Sequence, residues 1–198
     1  MLIVHGVGMT AWGLLFLAQT LLIATARRPL HRKLGQLGAA LAAGLVPIGW
    51  HLAIEAARIS PPDLRIAGMS PRQFLVVPVF NILAFAGFTA IGVWNRRRPE
   101  LHRPMMLLAT VAVMSAAISR IDALSALYQG TVWETLFGPF FGMLAVGWLF
   151  MLAGRLLTGL WDAVYAIGYA GLILYCAVAI RLAKTGLWDQ WAGFLLGR

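Results

Sequence analysis

Charged residues are scarce in this sequence. Only 12% of the 198 residues are Asp, Glu, Lys or Arg, whereas 61% are hydrophobic and the mean hydropathy is +0.81. A typical soluble domain is about 25% charged and roughly 45–50% apolar. A soluble fold of this size has too much surface for its volume to hide so many apolar groups. The composition therefore excludes a soluble enzyme, a soluble nucleic-acid-binding domain and a disordered chain, and it predicts a polytopic membrane protein.

Cysteine and acidic residues are scarce as well. The single cysteine, Cys176, excludes an intramolecular disulfide and a cysteine metal site, and its place in an apolar run favours a small packing residue. Sixteen Lys and Arg outnumber seven Asp and Glu, which gives a net charge of +9. Because the basic residues form short clusters between hydrophobic runs, they are typical of membrane topology signals, and we expect no nucleic-acid partner.

Long apolar runs make up most of the chain. A membrane-spanning helix needs about 20 mostly apolar residues. The hydropathy pattern predicts six such helices, at about 3–25, 34–56, 74–94, 104–127, 137–157 and 162–182. The tail at 187–196 is too short to span a membrane, and its two tryptophans indicate an interfacial helix. The sequence thus predicts an all-α polytopic fold in a single membrane domain, residues 1–198.

The distribution of basic residues predicts the orientation. Two connecting loops are strongly basic, and their residues are Arg27, Arg28, Arg32 and Lys33 in one and Arg96, Arg97, Arg98 and Arg103 in the other. The loop at 128–136 has no Lys or Arg. Because basic loops favour the cytoplasmic side, we expect both termini on the outer side of the membrane, which is the periplasmic side if the membrane is a bacterial inner membrane.

A short repeat links the two basic loops. Residues 28–32 read Arg-Pro-Leu-His-Arg, and residues 98–103 repeat this pattern with one inserted residue. His31 and His102 are 71 positions apart, and each lies at the start of a predicted helix. We interpret the repeat as a duplicated helical hairpin that forms a four-helix core, with helices 1–2 and 3–4 related by rotation about the membrane normal.

The four histidines are candidates for cofactor ligation. His51 lies 20 residues beyond His31, or about 30 Å along a helix, so His5 and His51 are expected near one membrane face and His31 and His102 near the other. One histidine pair at each face is the arrangement of diheme b cytochromes, in which imidazoles ligate heme iron. His51 and His5 are the first candidates for iron ligands. The alternative interpretation is that His31 and His102 anchor the loops by contacting lipid phosphates.

A second group of polar residues is predicted near the outer membrane face. His51 and Glu55 are four residues apart and share a helix face, and Asp122 is the repeat counterpart of His51. Because ionisable groups within a span usually face a partner or a water-filled cavity, we predict a ligand pocket. Its residues are Glu55, Asn81, Arg120 and Asp122. Arg120 is expected to reach Glu55, Asn81 or a bound ligand; the alternative is that it only satisfies its own charge with a carboxylate.

The two basic loops also carry a family resemblance. His31-Arg32 opens one helix and is followed by Gly35, and His102-Arg103 opens another that begins with methionines and ends near Arg120. These HR…G and HR…M motifs resemble those of a family of small bacterial multi-helix inner-membrane proteins that has no assigned activity. The resemblance covers about residues 27–125 and implies a bacterial inner-membrane protein with a four-helix core. The architecture is only loosely similar to diheme b-type cytochromes.

No motif in the sequence predicts hydrolase, transferase or nucleotide-binding activity. Our first expectation is binding of heme b or another redox cofactor such as quinone in transmembrane electron transfer. A second is a non-catalytic membrane subunit or sensor that binds lipid or a small ligand in the outer polar pocket, and a third is a small transporter. The expected partners are membrane lipids and other membrane subunits or a second copy of the chain.

Overall fold

The fold is helical throughout the part of the chain that the structure describes. The computed structural model describes residues 1–197, and no β-strand forms within them. The helices are α1 (Leu2–Ala24), α2 (Arg28–Ile59), α3 (Pro71–Phe74), α4 (Val76–Trp94), α5 (Pro99–Ala112), α6 (Ser115–Ile118), α7 (Asp122–Ser125), α8 (Val132–Phe137), α9 (Phe141–Thr158), α10 (Ala163–Leu182) and α11 (Gly186–Leu196). The predicted all-α fold class is confirmed.

Six helical segments within residues 1–197 are long and apolar enough to cross a membrane, which confirms the predicted number. They are Leu2–Ala24, Arg28–Ile59, Pro71–Trp94, Pro99–Ile118, Val132–Thr158 and Ala163–Leu182. The chain is therefore a multi-pass membrane protein. One predicted boundary is wrong: the fourth span was expected to continue to residue 127, but it ends at Ile118 and is followed by a turn and the separate short helix α7.

Local side-chain chemistry explains where several helices begin and end. Ser70 accepts a hydrogen bond from the backbone N–H of Gln73, and the Gln73 side chain accepts one from the backbone N–H of Ser70, so both groups cap the start of α3. Asp162 caps α10 in a similar way through the N–H of Tyr165. Gly159 ends α9 in the left-handed conformation, with φ +73°, which a glycine adopts without steric cost.

The contacts divide the chain into two compact units, Met1–Leu52 and Ala53–Arg198. The first unit is a hairpin of α1 and most of α2. Side chains of one helix lie over glycines of the other: Leu45 over Gly8, Leu15 over Gly38 and Gln19 over Gly35. Each pair of residue numbers adds to nearly the same value, so the two helices run antiparallel in a constant register. The single membrane domain stays a prediction.

The second unit is built around α4, α5 and α10, with α9 packed beside them. Glycines mark the places where these helices approach closely. A Cβ at Gly92 on α4 would lie 2.8 Å from the sulfur of Met106, and a Cβ at Gly168 on α10 would lie 2.5 Å from Leu108. Small residues at helix interfaces let backbones approach and increase van der Waals contact, which stabilises helix association in lipid.

The predicted interfacial helix at 187–196 is present as α11. It lies against α3, where the indole Nε1 of Trp188 donates to the carbonyl of Arg72 over 2.9 Å. Arg72 also lies 3.4 Å from Asp189 in an exposed ion pair. Because these contacts fix α11 to the start of the third span, helix 187–196 is part of the folded unit; its position at the membrane surface stays a prediction.

The two repeated loops form turns of closely similar construction. α1 ends with Thr25, whose hydroxyl donates to the carbonyl of Leu21, and α4 ends with Asn95, whose amide donates to the carbonyl of Ile91. The helices that follow differ, because α2 continues for 32 residues whereas α5 ends after 14. The turns agree with the repeat, and the duplication of the whole hairpin stays a prediction.

Candidate functional site

The fourth span is interrupted near its end. The N–H groups of Val113 and Met114 donate to the carbonyls three residues earlier, those of Thr110 and Val111, instead of continuing the four-residue pattern. Two short elements, α6 and α7, follow this change. Tight turns within a helix often mark a hinge or a functional position, which makes the interruption a candidate site.

Asn81 lies beside this interruption. Its amide nitrogen donates to the hydroxyl of Ser115, and both side chains are buried. The amide oxygen of Asn81 is also buried and has no hydrogen-bond partner among the described residues. The contact therefore fixes α4 to α6 and leaves one polar atom of Asn81 unsatisfied within the span.

The predicted contact of Arg120 with Glu55 or Asn81 is wrong. Arg120 is exposed, and its guanidinium donates to the carbonyl of Ala116, four residues earlier. Glu55 instead accepts from Arg58 over 2.9 Å on its own helix. The physical reason is that the fourth span ends at Ile118, so Arg120 lies in a turn and not on a helix face directed at the bundle.

Asp122 also lies outside the predicted pocket. It is exposed and is the first residue of α7, where a carboxylate interacts favourably with the N-terminal end of a helix. Within the described part of the chain, no hydrogen bond or ion pair joins any two of the four predicted pocket residues. The structure thus does not assemble this pocket, and a ligand on Arg120 stays a prediction.

The outer histidines lie on different sides of their helices. His5 is half-buried and occupies the face of α1 that contains Gly8 and Leu15, the face packed on α2. His51 is exposed and points about 160° away, at 3.6 residues per turn, from the stripe on α2 that packs on α1. The two imidazoles thus lie at similar depth along the hairpin, but they do not point toward each other.

The inner histidines belong to separate units. His102 in the second unit donates from Nδ1 to the carbonyl of Gly92 over 2.8 Å, because a carbonyl oxygen can only accept. This bond satisfies one of the last carbonyls of α4, which have no intrahelical partner, and places the ring lone pair on Nε2. His31 is half-buried at the start of α2 in the first unit. His102 thus has a clear structural role at the α4–α5 turn.

A groove lies between α4 and α10 in the second unit. It has a volume of about 400 Å³. Its lining residues are Leu83, Ala84, Gly87, Phe88, Ile91, Gly171, Leu172 and Tyr175. Tyr175 closes one end, where its hydroxyl donates to the carbonyl of Phe80 over 3.2 Å and its ring lies 4.6 Å from the Phe80 ring. The groove is apolar and lies within two membrane-spanning helices.

Two glycines create the open space of the groove. A Cβ added at Gly87 or at Gly171 would meet no atom within 4 Å. Gly168, one turn before Gly171, is different because a Cβ there would collide with Leu108. The groove is therefore an unfilled surface between helices whose other contacts are close, and not a sign of loose packing.

The sequence analysis missed this groove. The signal was present as small residues three positions apart, Ala84 with Gly87 on one helix and Gly168 with Gly171 on the other. Such spacing is usually interpreted as a close helix contact. Only the register between α4 and α10 shows that Gly168 lies in a contact and Gly171 in open space.

No family model, curated protein or solved structure matches this chain. The family resemblance of the two HR segments therefore stays a prediction.

Proposed function

We propose that this integral membrane protein is a non-catalytic membrane subunit or sensor that binds the hydrocarbon chain of a membrane lipid in the groove between α4 and α10. The observation that carries the proposal is the open, apolar space over Gly87 and Gly171. Its walls consist of aliphatic and aromatic side chains, and the only titratable group among them is the Tyr175 hydroxyl, which donates to a backbone carbonyl. The groove thus supplies contacts for an apolar chain and no acid or base for chemistry.

Shape is the source of selectivity in such a site. Lipid tails are as apolar as the groove, so transfer from bilayer to protein gains little from the hydrophobic effect, and retention depends on van der Waals contact. A groove between two fixed helices contacts a hydrocarbon chain on several sides, whereas a convex helix surface contacts it on only one side. The hydrocarbon chains of phospholipids and of isoprenoid quinones both meet this requirement.

Native mass spectrometry of the protein extracted in mild detergent tests the proposal. We expect about one retained lipid per chain, identified afterwards by extraction. At Gly87 and Gly171 an added Cβ lies in open space, so Gly87→Leu and Gly171→Leu should each project into the groove and abolish retention while leaving the fold intact. Gly154→Leu is the matched control, since Gly154 on α9 also has no atom within 4 Å but lies outside the groove. Retention that is equal in all three variants would contradict the proposal.

Heme binding is a second candidate function, favoured by one observation at His102. Its Nδ1 bond to the Gly92 carbonyl fixes the tautomer in which Nε2 carries the lone pair, and iron-ligating histidines commonly have this type of support. His5 and His51 do not converge, so His102 is the histidine to test. A reduced-minus-oxidised absorption spectrum of the purified protein should show a heme b signal that His102→Ala removes. Its absence after expression with heme precursor would exclude this candidate.

A further inference from the structure

The groove leads toward the turn between α4 and α5. Ala84, Phe88 and Ile91 form its α4 wall at helical three- and four-residue spacing, and the same spacing continues to Asn95 at the end of α4. Trp94 precedes it and is 86% exposed. An exposed tryptophan at a helix end is typical of the membrane–water interface. The groove therefore approaches the level of lipid headgroups at its Ile91 end.

A cluster of three arginines lies directly beyond this end. Arg96, Arg97 and Arg98 form the α4–α5 turn and are all exposed. No carboxylate among residues 1–197 pairs with any of them. Arg96 donates to the carbonyl of Val93 over 3.4 Å, which is a weak contact that leaves most of its donors to solvent. The three cations thus concentrate positive charge without a carboxylate partner among the described residues.

The distance between groove and cluster suits a phospholipid. Arg96 is five positions beyond Ile91, or about 8 Å along the axis at 1.5 Å per residue, and an arginine side chain bridges much of this. The groove itself follows α4 from Leu83 to Ile91, about 12 Å. An acyl chain in the groove would accordingly place its own phosphate near the guanidinium groups.

We infer that the occupant of the groove is an anionic phospholipid whose acyl chain lies over Gly87 and Gly171 and whose phosphate contacts Arg96, Arg97 and Arg98. The inference rests on the proposed function and adds the headgroup to it. Guanidinium groups bind phosphate by paired, charge-assisted hydrogen bonds. The chain and the headgroup reinforce each other, because a lipid held in the groove presents its phosphate to the arginines at a high effective concentration.

The test compares two lipids with identical acyl chains in native mass spectrometry, phosphatidylglycerol and the zwitterionic phosphatidylcholine. The wild-type chain should retain phosphatidylglycerol at least about tenfold better, since each juxtamembrane basic residue favours anionic lipid substantially. The triple variant R96Q/R97Q/R98Q should lower this preference to about twofold or less. Because phosphatidylcholine also carries a phosphate, its retention should fall too, but by a smaller factor than that of phosphatidylglycerol, and continued retention of both lipids would show that the groove is intact.

The α1–α2 turn provides a matched control. Arg27 lies in this turn and Arg28 and Arg32 lie at the start of α2, and all three are exposed. R27Q/R28Q/R32Q removes the same charge and should leave the preference at least about tenfold. If both triple variants lost the preference for phosphatidylglycerol equally, the inference would be overturned, because the basic charges would then act without a specific site.

Failure of the inference is distinguishable from failure of the proposed function. If the wild-type chain retains both lipids equally and Gly87→Leu loses both, the groove binds lipid chains without selecting a headgroup, so the inference is wrong and the proposed function holds. If Gly87→Leu retains phosphatidylglycerol as the wild type does, the lipid is not in the groove, and both are wrong.

Discussion

The amide of Asn81 on α4 donates to the hydroxyl of Ser115, the first residue of α6, beside the interruption in the fourth span. Both residues are buried, and the amide oxygen of Asn81 has no further partner among the described residues. Hydrogen bonds between transmembrane helices contribute about 0.6 kcal/mol on average and up to about 1.7 kcal/mol. Loss of the serine hydroxyl would leave the whole Asn81 amide unpaired. The resulting loss in the free energy of unfolding should therefore exceed the contribution of one hydrogen bond.

Ser115→Ala is therefore expected to lower the free energy of unfolding by about 1–3 kcal/mol, the cost of leaving a buried polar group unsatisfied. Adding Asn81→Leu should recover part of that loss, because it replaces the unpaired amide with an apolar group of similar size. Unfolding in mixed micelles measures both changes.

Ser119→Ala is the control for this prediction. The Ser119 hydroxyl donates only to the carbonyl of Ala116 on its own segment, so we expect a change within about 0.5 kcal/mol. A Ser115→Ala variant no less stable than Ser119→Ala would show that the bond to Asn81 contributes nothing to the fold.

Two glycines on α9 offer a matched test of helix packing. A Cβ at Gly147 would lie 2.6 Å from a ring carbon of Tyr169, whereas a Cβ at Gly154 meets no atom within 4 Å. Gly147→Ala should destabilise the protein by about 1–3 kcal/mol through overpacking. Gly154→Ala should be neutral or raise stability slightly, because alanine is the better helix former. Similar melting temperatures for the two variants would contradict the packing of α9 on α10.

Tyr128 should make stability depend on pH in the alkaline range. It lies in the loop between two spans, where burial first, and the charge of Glu134 second, raise the pKa of its phenol above the usual value of 10.0. The folded state disfavours the phenolate, so the protonated Tyr128 phenol contributes to stability. This contribution is complete below pH 10 and is lost as the pH rises through the pKa of Tyr128 in the folded state. As the pH is raised above 10, the free energy of unfolding of Tyr128→Phe should therefore fall less than that of the wild type.

Absorbance at 295 nm, taken as wild type minus Tyr128→Phe, follows the phenol itself. Glu134→Gln should shift its midpoint downward but keep it above 10, since burial is the larger cause. A midpoint at or below 10 in the wild type would contradict the buried position of Tyr128.

Hydropathy predicted the spans well and their continuity poorly. The apolar pattern continues past Ser115 through Ile118, Ile121 and Leu124, and a window average counts these residues alike whether or not the helix is unbroken. The change in hydrogen bonding at Val113 and Met114 depends on the local backbone and on the contact of Ser115 with Asn81. Arg120 was misplaced for this reason.

Residue depth was easier to predict than residue direction. The rise per residue placed His5 and His51 at similar depth, but α2 carries apolar residues on all sides, so sequence alone did not show which side meets α1. The groove required still more information, because it depends on which glycines of α4 and α10 lie opposite each other. That register follows from contacts such as Tyr175 with Phe80.

Cysteine labelling tests the predicted orientation. Leu30 and Glu100 are exposed in the two basic turns, and Gln129 is exposed in the loop without basic residues. Single cysteines at positions 30 and 100 should react with an impermeant maleimide only in permeabilised bacteria, and one at position 129 should react in intact cells. The native Cys176 is buried and should stay unlabelled. Labelling of positions 30 and 100 in intact cells would reverse the orientation.

Photo-crosslinking with a phospholipid that carries a diazirine in its acyl chain shows whether a lipid chain occupies the groove. With the protein in nanodiscs containing excess unlabelled lipid, the prediction is that adducts concentrate between Leu83 and Ile91 and between Gly171 and Tyr175, and that Gly87→Leu removes them. Adducts spread evenly over these segments and over the exposed α9 side chains Leu149, Leu156 and Leu157, and unaffected by Gly87→Leu, would contradict it.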